Sequence, residues 1–165
     1  MRYSAKTDEP GGAEITALRE SLEALLQGLG LALIELDVFH RKARKGLPAA
    51  VQVRVIVYRA GDLGTGDCSR AHYAMLPLLE QAFSGRDLSV EVSTPGINRI
   101  VRDGVELAHY KGRGVRCWRT DISDWSAGIL EDAGGQGITI NGTEGSIRLD
   151  YDVIAKVKLD PSQEE

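Results

Sequence analysis

Ser69 and His72 are the residues whose types and spacing first suggest catalysis. They stand three positions apart in DCSRAHYAM, where a helix would place a hydroxyl and an imidazole on one face. A hydrogen bond between them is the first requirement of a nucleophile and its base. No third group is visible to orient the imidazole, and a helix does not hold a serine as hydrolases do. A small hydrolase is therefore a minor alternative.

A glycine-rich turn, AGDLGTG at residues 60–66, precedes that helix and raises the question of phosphate binding. It lacks the Gly-Lys-Ser/Thr ending of a P-loop and the spacing of a dinucleotide fingerprint, and the preceding strand is predicted in a hairpin rather than a parallel βαβ unit. We interpret it as a tight turn that begins a helix. Cys68, Cys117 and the histidines show no metal-ligand spacing, so no metal or other cofactor is expected.

A cluster of cations in HRKARKG is of a different kind, because it concentrates positive charge between two predicted strands. Its members are Arg41, Lys42, Arg44 and Lys45. The plain interpretation is a solvated hairpin loop. The alternative is a contact with the phosphate backbone of a nucleic acid, in which lysine and arginine displace condensed counterions without reading sequence.

A second set of cations spans the predicted domain junction and the strand after it. These residues either line a positive groove between domains or belong to ordinary surface: Arg99, Arg102, Lys111, Arg113, Arg116 and Arg119. Trp118 and Trp125 flank a loop in the same region. Their rings either recognise a base or a protein partner at the surface, or pack in the domain.

The composition limits the partners that such patches can serve. The chain has 165 residues and a formal net charge of -4, whereas domains that coat nucleic acid are usually basic overall. An anionic partner would therefore be met by a particular loop or edge. No apolar run approaches the roughly 18 residues of a membrane span, and MRYSAKTDEPGG lacks the apolar core of a signal peptide. We expect a cytoplasmic protein with no membrane partner.

The spacing of apolar residues predicts the elements that position these groups. AEITALRESLEALLQ and DCSRAHYAMLPLLEQAF have the spacing of amphipathic helices, and Pro77 predicts a kink or restart in the second. ALIELDVFH, VQVRVIVY and DLSVEVS alternate as half-buried strands do. Residues 13–94 are thus predicted as an α-β-β-α-β domain with two helices on one face of the sheet. In the first strand, one side is predicted to carry Ala32, Ile34, Leu36 and Val38.

The second half of the chain predicts a different architecture, which makes the protein a two-domain α+β chain. Asp103 and Glu106 have capping-box spacing at the start of a short helix over residues 103–110. Five short strands follow, separated by polar, glycine-rich turns, so residues 103–160 are predicted as a small closed β-barrel. Residues 1–12 and 161–165 are predicted to be disordered.

The stretch VEVSTPGINRIV joins the two parts, and residues 95–102 are predicted to be the domain junction. Pro95 fixes its own φ, and Gly96 is expected to permit a turn that most residues would resist. The hydroxyls of Ser93 and Thr94 are expected to tie that turn. Arg99 either braces the two domains or reaches RNA, and bracing is favoured.

An ordered series of motifs resembles the bacterial ribosome maturation factor RimP family over nearly the whole chain after the first dozen residues. The most specific is VEVSTPGINR, which is similar to the family's strand, Val-Ser-Ser-Pro-Gly, aliphatic residue and Asp-Arg-Pro. The others are GLGLALIELDV, Gly-Asp-Cys-Ser, Tyr-Lys-Gly-Arg, AGILED and VIAKVKL. The resemblance implies a KH-like N-terminal domain and an Sm-like C-terminal barrel. It also implies a non-enzymatic protein that binds the free small ribosomal subunit and assists its late assembly, contacting ribosomal RNA and a small-subunit ribosomal protein near the decoding region.

Three residues of the motif depart from the family pattern. Thr94 replaces a serine, Asn98 an aspartate and Ile100 a proline, so a charge and a rigid residue are lost after the corner. Without the resemblance, the residues support only a general RNA- or protein-binding adaptor, which remains the alternative. With no catalytic residue expected, the candidate RNA- or partner-binding residues are Arg41, Lys42, Arg44, Lys45, Arg99, Arg102, Lys111 and Arg113.

Overall fold

The computed structural model describes residues 3–4, 12–61 and 64–165, apart from the side chain of Thr65. The chain divides into two units between Pro95 and Gly96. The first holds residues 12–95 of the described chain, and the second holds Gly96–Glu165 together with Tyr3 and Ser4. Most of the predicted junction, residues 96–102, therefore lies within the second unit.

The first unit has the predicted α-β-β-α-β order. Its elements are α1 (Ala13–Gly28), β1 (Ala32–Arg41), β2 (Ala50–Tyr58), α2 (Thr65–Ala82) and β3 (Asp87–Ser93). The sheet order is β1-β2-β3. Strand β2 is antiparallel to β1 and parallel to β3, so β2, α2 and β3 form a βαβ unit, and the expectation that β2 lacks a parallel partner was wrong. An antiparallel pair needs only a hairpin, whereas the parallel pair needs the α2 crossover.

The apolar faces of both helices share one core with β1 and β2. Every second residue of β2 is buried there, as its alternating pattern predicts. Burial of each such side chain contributes roughly 1.5 to 3 kcal/mol, so this face holds the unit together. The central residues are Leu18, Leu22, Leu26, Val51, Val53, Val55, Val57, Ala71, Met75 and Leu79.

The structure corrects two local predictions in this unit: the side assignment of β1, and the restart of α2 at Pro77. A register shift between Leu33 and Glu35 interrupts the alternation of β1, so Leu33 joins the core cluster in place of Ile34. An inserted residue of this kind reverses the side to which the preceding residues point. Helix α2 also continues through Pro77 to Ala82. Packing of Met75 and Leu79 on either side of the proline keeps the helix in place despite the missing donor.

The second unit contains a short helix and six strands. Strand β4 (Ile100–Val101) precedes α3 (Gly104–Leu107), which continues as a 3-10 turn over Ala108–Tyr110. The sheet order is β4-β9-β5-β6-β7-β8, with every pair antiparallel. The remaining strands are β5 (Gly114–Arg119), β6 (Asp124–Ala133), β7 (Gly137–Gly142), β8 (Gly145–Asp150) and β9 (Ile154–Leu159).

The prediction of a closed barrel was wrong, because no strand pairing joins β4 to β8 in the described chain. The two-residue β4 offers little ladder to a partner, and only Leu149 of β8 is buried. Turn spacing predicts how many strands there are, but closure depends on the tilt and stagger of all strands together. The chain is therefore an α+β protein with two sheets.

Both predicted disordered ends need correction where they are described. Pro161–Glu164 forms a 3-10 helix in place of a free tail, and Glu164 accepts hydrogen bonds from the Arg113 side chain and the Gly114 backbone. At the other end, residues 1, 2 and 5–11 lie outside the described residues. Tyr3 is buried and donates its backbone N–H to Ile154. Long-range pairing thus orders segments whose composition predicts disorder.

Candidate nucleic-acid interface

The loop between β1 and β2 is built around a tight turn. Arg44 and Leu47 exchange two backbone hydrogen bonds of 3.0 and 2.8 Å, which enclose Lys45 and Gly46. Gly46 has φ +81°, the left-handed conformation that a type II turn requires at its third position. A glycine at this position fixes the backbone of the basic segment, and Lys45 occupies the second position of the turn.

The four predicted cations of this loop are all exposed. Arg41 donates to the Pro48 carbonyl at 3.3 Å, which stabilises the end of β1. No carboxylate of the described residues pairs with Lys42, Arg44 or Lys45. Their full charge therefore faces solvent on a fixed turn, in a chain whose net charge is -4. Such an arrangement attracts phosphate and gains affinity by releasing counterions.

Five of the six cations in the second predicted set meet carboxylates of their own unit, including Arg119, which lies 2.6 Å from Asp121. Arg99 binds Glu106, Lys111 lies 3.0 Å from Asp132, and Arg113 lies 2.6 Å from Glu164. Arg102 has a longer contact, 3.5 Å, with Asp103. Each of these cations meets a nearby carboxylate, so their combined field is much weaker than their number suggests. The structure thus separates two basic groups that look alike in the sequence.

Glu106 is a residue whose role the sequence predicts only in part. Its spacing from Asp103 is that of a capping box, and the Asp103 side chain does accept from the Glu106 N–H at 2.9 Å. The Glu106 carboxylate, however, does not bond back to the Asp103 backbone. It accepts instead from Arg99, from the Tyr110 hydroxyl and from the Arg102 N–H. Arg99 therefore braces the start of the second unit.

The junction residues contribute less local geometry than expected. No described residue hydrogen bonds to the hydroxyl of Ser93 or Thr94, and Pro95 is half-buried. Gly96 does not have a left-handed φ, and a Cβ placed on it would meet nothing within 4 Å. The prediction that this turn needs glycine was therefore wrong. Its carbonyl accepts from the Arg99 N–H at 3.0 Å, which starts a turn that any residue can adopt.

The features that suggested catalysis or phosphate binding have other partners. No hydrogen bond joins Ser69 to His72, whose ring instead packs edge-on against Tyr73 at 5.6 Å. At the start of α2, the Asp67 carboxylate accepts from the Gly64 N–H at 3.1 Å and pairs with Arg59 and Arg70. A carboxylate already occupies the positive end of this helix, so a phosphate would meet a like charge there.

The thiols and the carboxylates give no sign of a metal centre in the described chain. Cys68 and Cys117 are free, and burial raises the pKa of the Cys117 thiol to about 12. No group of three or more metal-ligating side chains comes together among the described residues. None of the helices that these residues form has the length and apolar character to span a bilayer.

Comparison with known proteins finds relatives that match most of the length of this chain. No model of a known protein family matches the chain. Over 131 residues, it is 28% identical to the "Ribosome maturation factor RimP" of Borrelia turicatae and 27% identical to that of Borrelia hermsii. The protein of the same name from Borrelia recurrentis is 22% identical. Each match covers 79% of this chain and 85% of the relative.

Proposed function

We infer that this chain binds the free small ribosomal subunit and assists its late assembly. Its relatives confirm its resemblance to the RimP family of ribosome maturation factors. It acts in the cytoplasm as a binding protein and catalyses no reaction. The observation that carries this proposal is the charged loop at residues 41–47. Its cations are exposed at or beside a hydrogen-bonded turn over residues 44–47, and those at positions 42, 44 and 45 have no carboxylate partner in the described chain.

The chemistry of the loop fits ribosomal RNA as the partner. Phosphate oxygens along an RNA strand accept from lysine and arginine whatever the base sequence. The tight turn at Lys45 and Gly46 limits the conformational entropy lost when the loop binds. Contacts of this kind hold an RNA segment in place without reading it, which is the action that an assembly factor needs.

The second unit supplies the other half of the proposal. Its cations near the junction are balanced by carboxylates, so it is less suited to bulk attraction of RNA than the loop is. We assign it contact with a small-subunit ribosomal protein near the decoding region, as the family resemblance implies. The same resemblance makes the first unit KH-like and the second Sm-like.

Co-sedimentation with separated ribosomal subunits tests the proposal. We expect the protein to pellet with the free small subunit and not with the large subunit. The variant Lys42→Ala/Lys45→Ala should bind less tightly, and the slope of log affinity against log salt should fall by about two, one for each lost phosphate contact.

A control with the same loss of charge is Arg54→Ala/Arg70→Ala. Both of its cations are exposed but paired, Arg54 with Glu91 at 3.4 Å and Arg70 with Asp67 at 2.5 Å. It should retain the salt slope of the original protein. Equal slopes for the two variants would remove the loop from the mechanism, and a preference for the large subunit would overturn the function.

A further inference from the structure

The outer face of the second sheet carries two rows of side chains that the loop proposal does not use. In one row, Lys158 of β9 lies opposite Ile100 of β4 and Arg116 of β5. In the next row, Lys156 of β9 lies opposite Trp118 of β5, which lies opposite Trp125 of β6. Directly paired residues in a sheet point to the same side, so these residues share one face.

The alternation of burial shows that this face is not the core. Along β5, Val115 and Cys117 are buried, while Arg116 and Trp118 between and after them remain partly exposed. Along β9, Val157 and Leu159 are buried, while the lysines on either side of Val157 are partly exposed. Ile100 at the edge is 54% exposed. The tryptophans therefore lie on the opposite side of the sheet from its buried residues.

The charged residues of these two rows are all positive. The side chains of Lys156 and Lys158 have no ion pair or hydrogen bond with another described residue. The Arg116 guanidinium lies 4.7 Å from the ring centre of Trp125 in a cation–π contact. It also contributes to the lowered pKa of Asp160, after the larger effect of the hydrogen bond from Ser162. No carboxylate stands in either row of paired residues.

The aromatic rings have surface left for a ligand. The two tryptophans pack edge to face, with ring centres 5.4 Å apart and planes at 78°. An edge-to-face pair uses at most one face of each ring, and the Arg116 contact is to Trp125 alone. Trp118 is itself partly exposed and outside the cation–π contact. Beside it, the two lysines of β9 are spaced by two residues, about 7 Å along the strand.

We propose that this face binds single-stranded RNA, with a base stacked on Trp118 and the sugar-phosphate backbone following Lys156 and Lys158. Stacking on aromatic side chains beside a line of cations is the usual way in which proteins hold unpaired nucleotides without sequence preference. A duplex hides the faces of its bases, so it would use only the lysines. The face belongs to the second unit and the loop at residues 41–47 to the first, and the ligand of the face is an unpaired strand rather than any RNA backbone.

The two tryptophans make the proposal directly measurable. They are the chain's full complement of tryptophan, so intrinsic fluorescence reports on this face alone. Titration with a single-stranded oligoadenylate RNA of about ten nucleotides should quench the emission, because a base stacks on the indole. A duplex RNA of the same length should bind more weakly and quench less.

Variants separate stacking from charge. Lys156→Ala/Lys158→Ala and Trp118→Leu should each weaken oligoadenylate binding about tenfold, whereas Trp118→Phe, which keeps an aromatic ring, should restore most of it. Arg54→Ala/Arg70→Ala removes two cations elsewhere and should bind as the original protein does. Circular dichroism of each variant checks that it is folded.

Two outcomes would overturn the proposal. One is quenching by a polyglutamate peptide as strong as that by the RNA, which would indicate an acidic protein segment as the ligand. The other is an affinity unchanged by the lysine and tryptophan variants. Neither outcome bears on the subunit binding of Lys42→Ala/Lys45→Ala, so failure here is distinct from failure of the proposed function.

Discussion

Arg99 and Glu106 form a two-point ion pair at the start of the second unit, with Nε to Oε1 at 2.5 Å and Nη2 to Oε2 at 3.1 Å. The Glu106 side chain is fully buried and that of Arg99 is 13% exposed. Parallel hydrogen bonds of this kind fix geometry as well as charge. The pair ties the segment before β4 to α3, so the residues after the proline corner belong firmly to the second unit.

Removal of Glu106 should unfold the second unit at much lower denaturant concentration. Glu106→Ala removes the carboxylate that Arg99 contacts at two points in a nearly buried site, and breaking a buried ion pair typically costs about 3 to 5 kcal/mol. Urea unfolding followed by tryptophan emission measures this unit, since both tryptophans lie in it. An exposed pair of the same unit gives the control: Asp132→Ala, which leaves Lys111 in solvent, should cost less than about 1 kcal/mol. Equal effects of the two substitutions would contradict a structural role for the buried pair.

Glycine is required at position 128 but not at position 96. A Cβ on Gly128 would lie 2.4 Å from the Asn141 carbonyl oxygen, so Gly128→Ala must push β6 and β7 apart. We expect it to lower the free energy of unfolding by about 1 to 3 kcal/mol. Gly96→Ala should be neutral or slightly stabilising, because nothing lies near its Cβ and the unfolded chain loses freedom. Thermal unfolding of both variants measures these effects. A Gly96→Ala variant less stable than the original protein would support the prediction that the turn at residue 96 needs glycine.

The stability of the first unit should fall in acid through Asp67. The Gly64 N–H and the side chain of Arg70, with Arg59, hold the pKa of this carboxyl below its ordinary value. A lowered pKa adds stability above the unfolded-state value of about 4, and that stability is lost as pH falls through the folded-state pKa. Asp67→Asn should therefore lower the melting temperature at neutral pH, and the difference should shrink in acid. Glu80→Gln, at an exposed position of the same helix, is the control and should show no such convergence.

The two thiols should differ in reactivity. Burial raises the pKa of Cys117 to about 12, and burial followed by the charge of Asp67 raises that of Cys68. Since the thiolate is the reactive form, an aromatic disulfide reagent near pH 8 should modify Cys68 slowly and Cys117 only after unfolding. In Cys68→Ser, the native protein should therefore show no thiol reaction until urea is added. Rapid reaction of that variant would mean that the second unit opens readily around Cys117.

Local sequence was a good guide wherever neighbours along the chain decide the outcome. The spacing of Leu18, Leu22 and Leu26 predicts α1, and the alternating valines predict β2. The basic loop was predicted as a candidate site, and its charge pattern needs no tertiary contact to be recognised. The tryptophans were also noted, but neither their pairing across β5 and β6 nor the lysines of β9 beside them could be read from spacing, because strand register is a long-range property.

The sequence by itself determined α1, α2, the strands of the first unit and the position of the charged loop, because periodicity and turn chemistry act over a few residues. Only the tertiary structure decided which cations are paired with carboxylates. Arg99, Lys111 and Arg113 meet carboxylates at positions 106, 132 and 164, whereas Lys42 and Lys45 meet none among the described residues. It also decided that the second sheet stays open. Both outcomes depend on residues brought together by folding, since an ion pair or a strand pair forms through space and not along the chain.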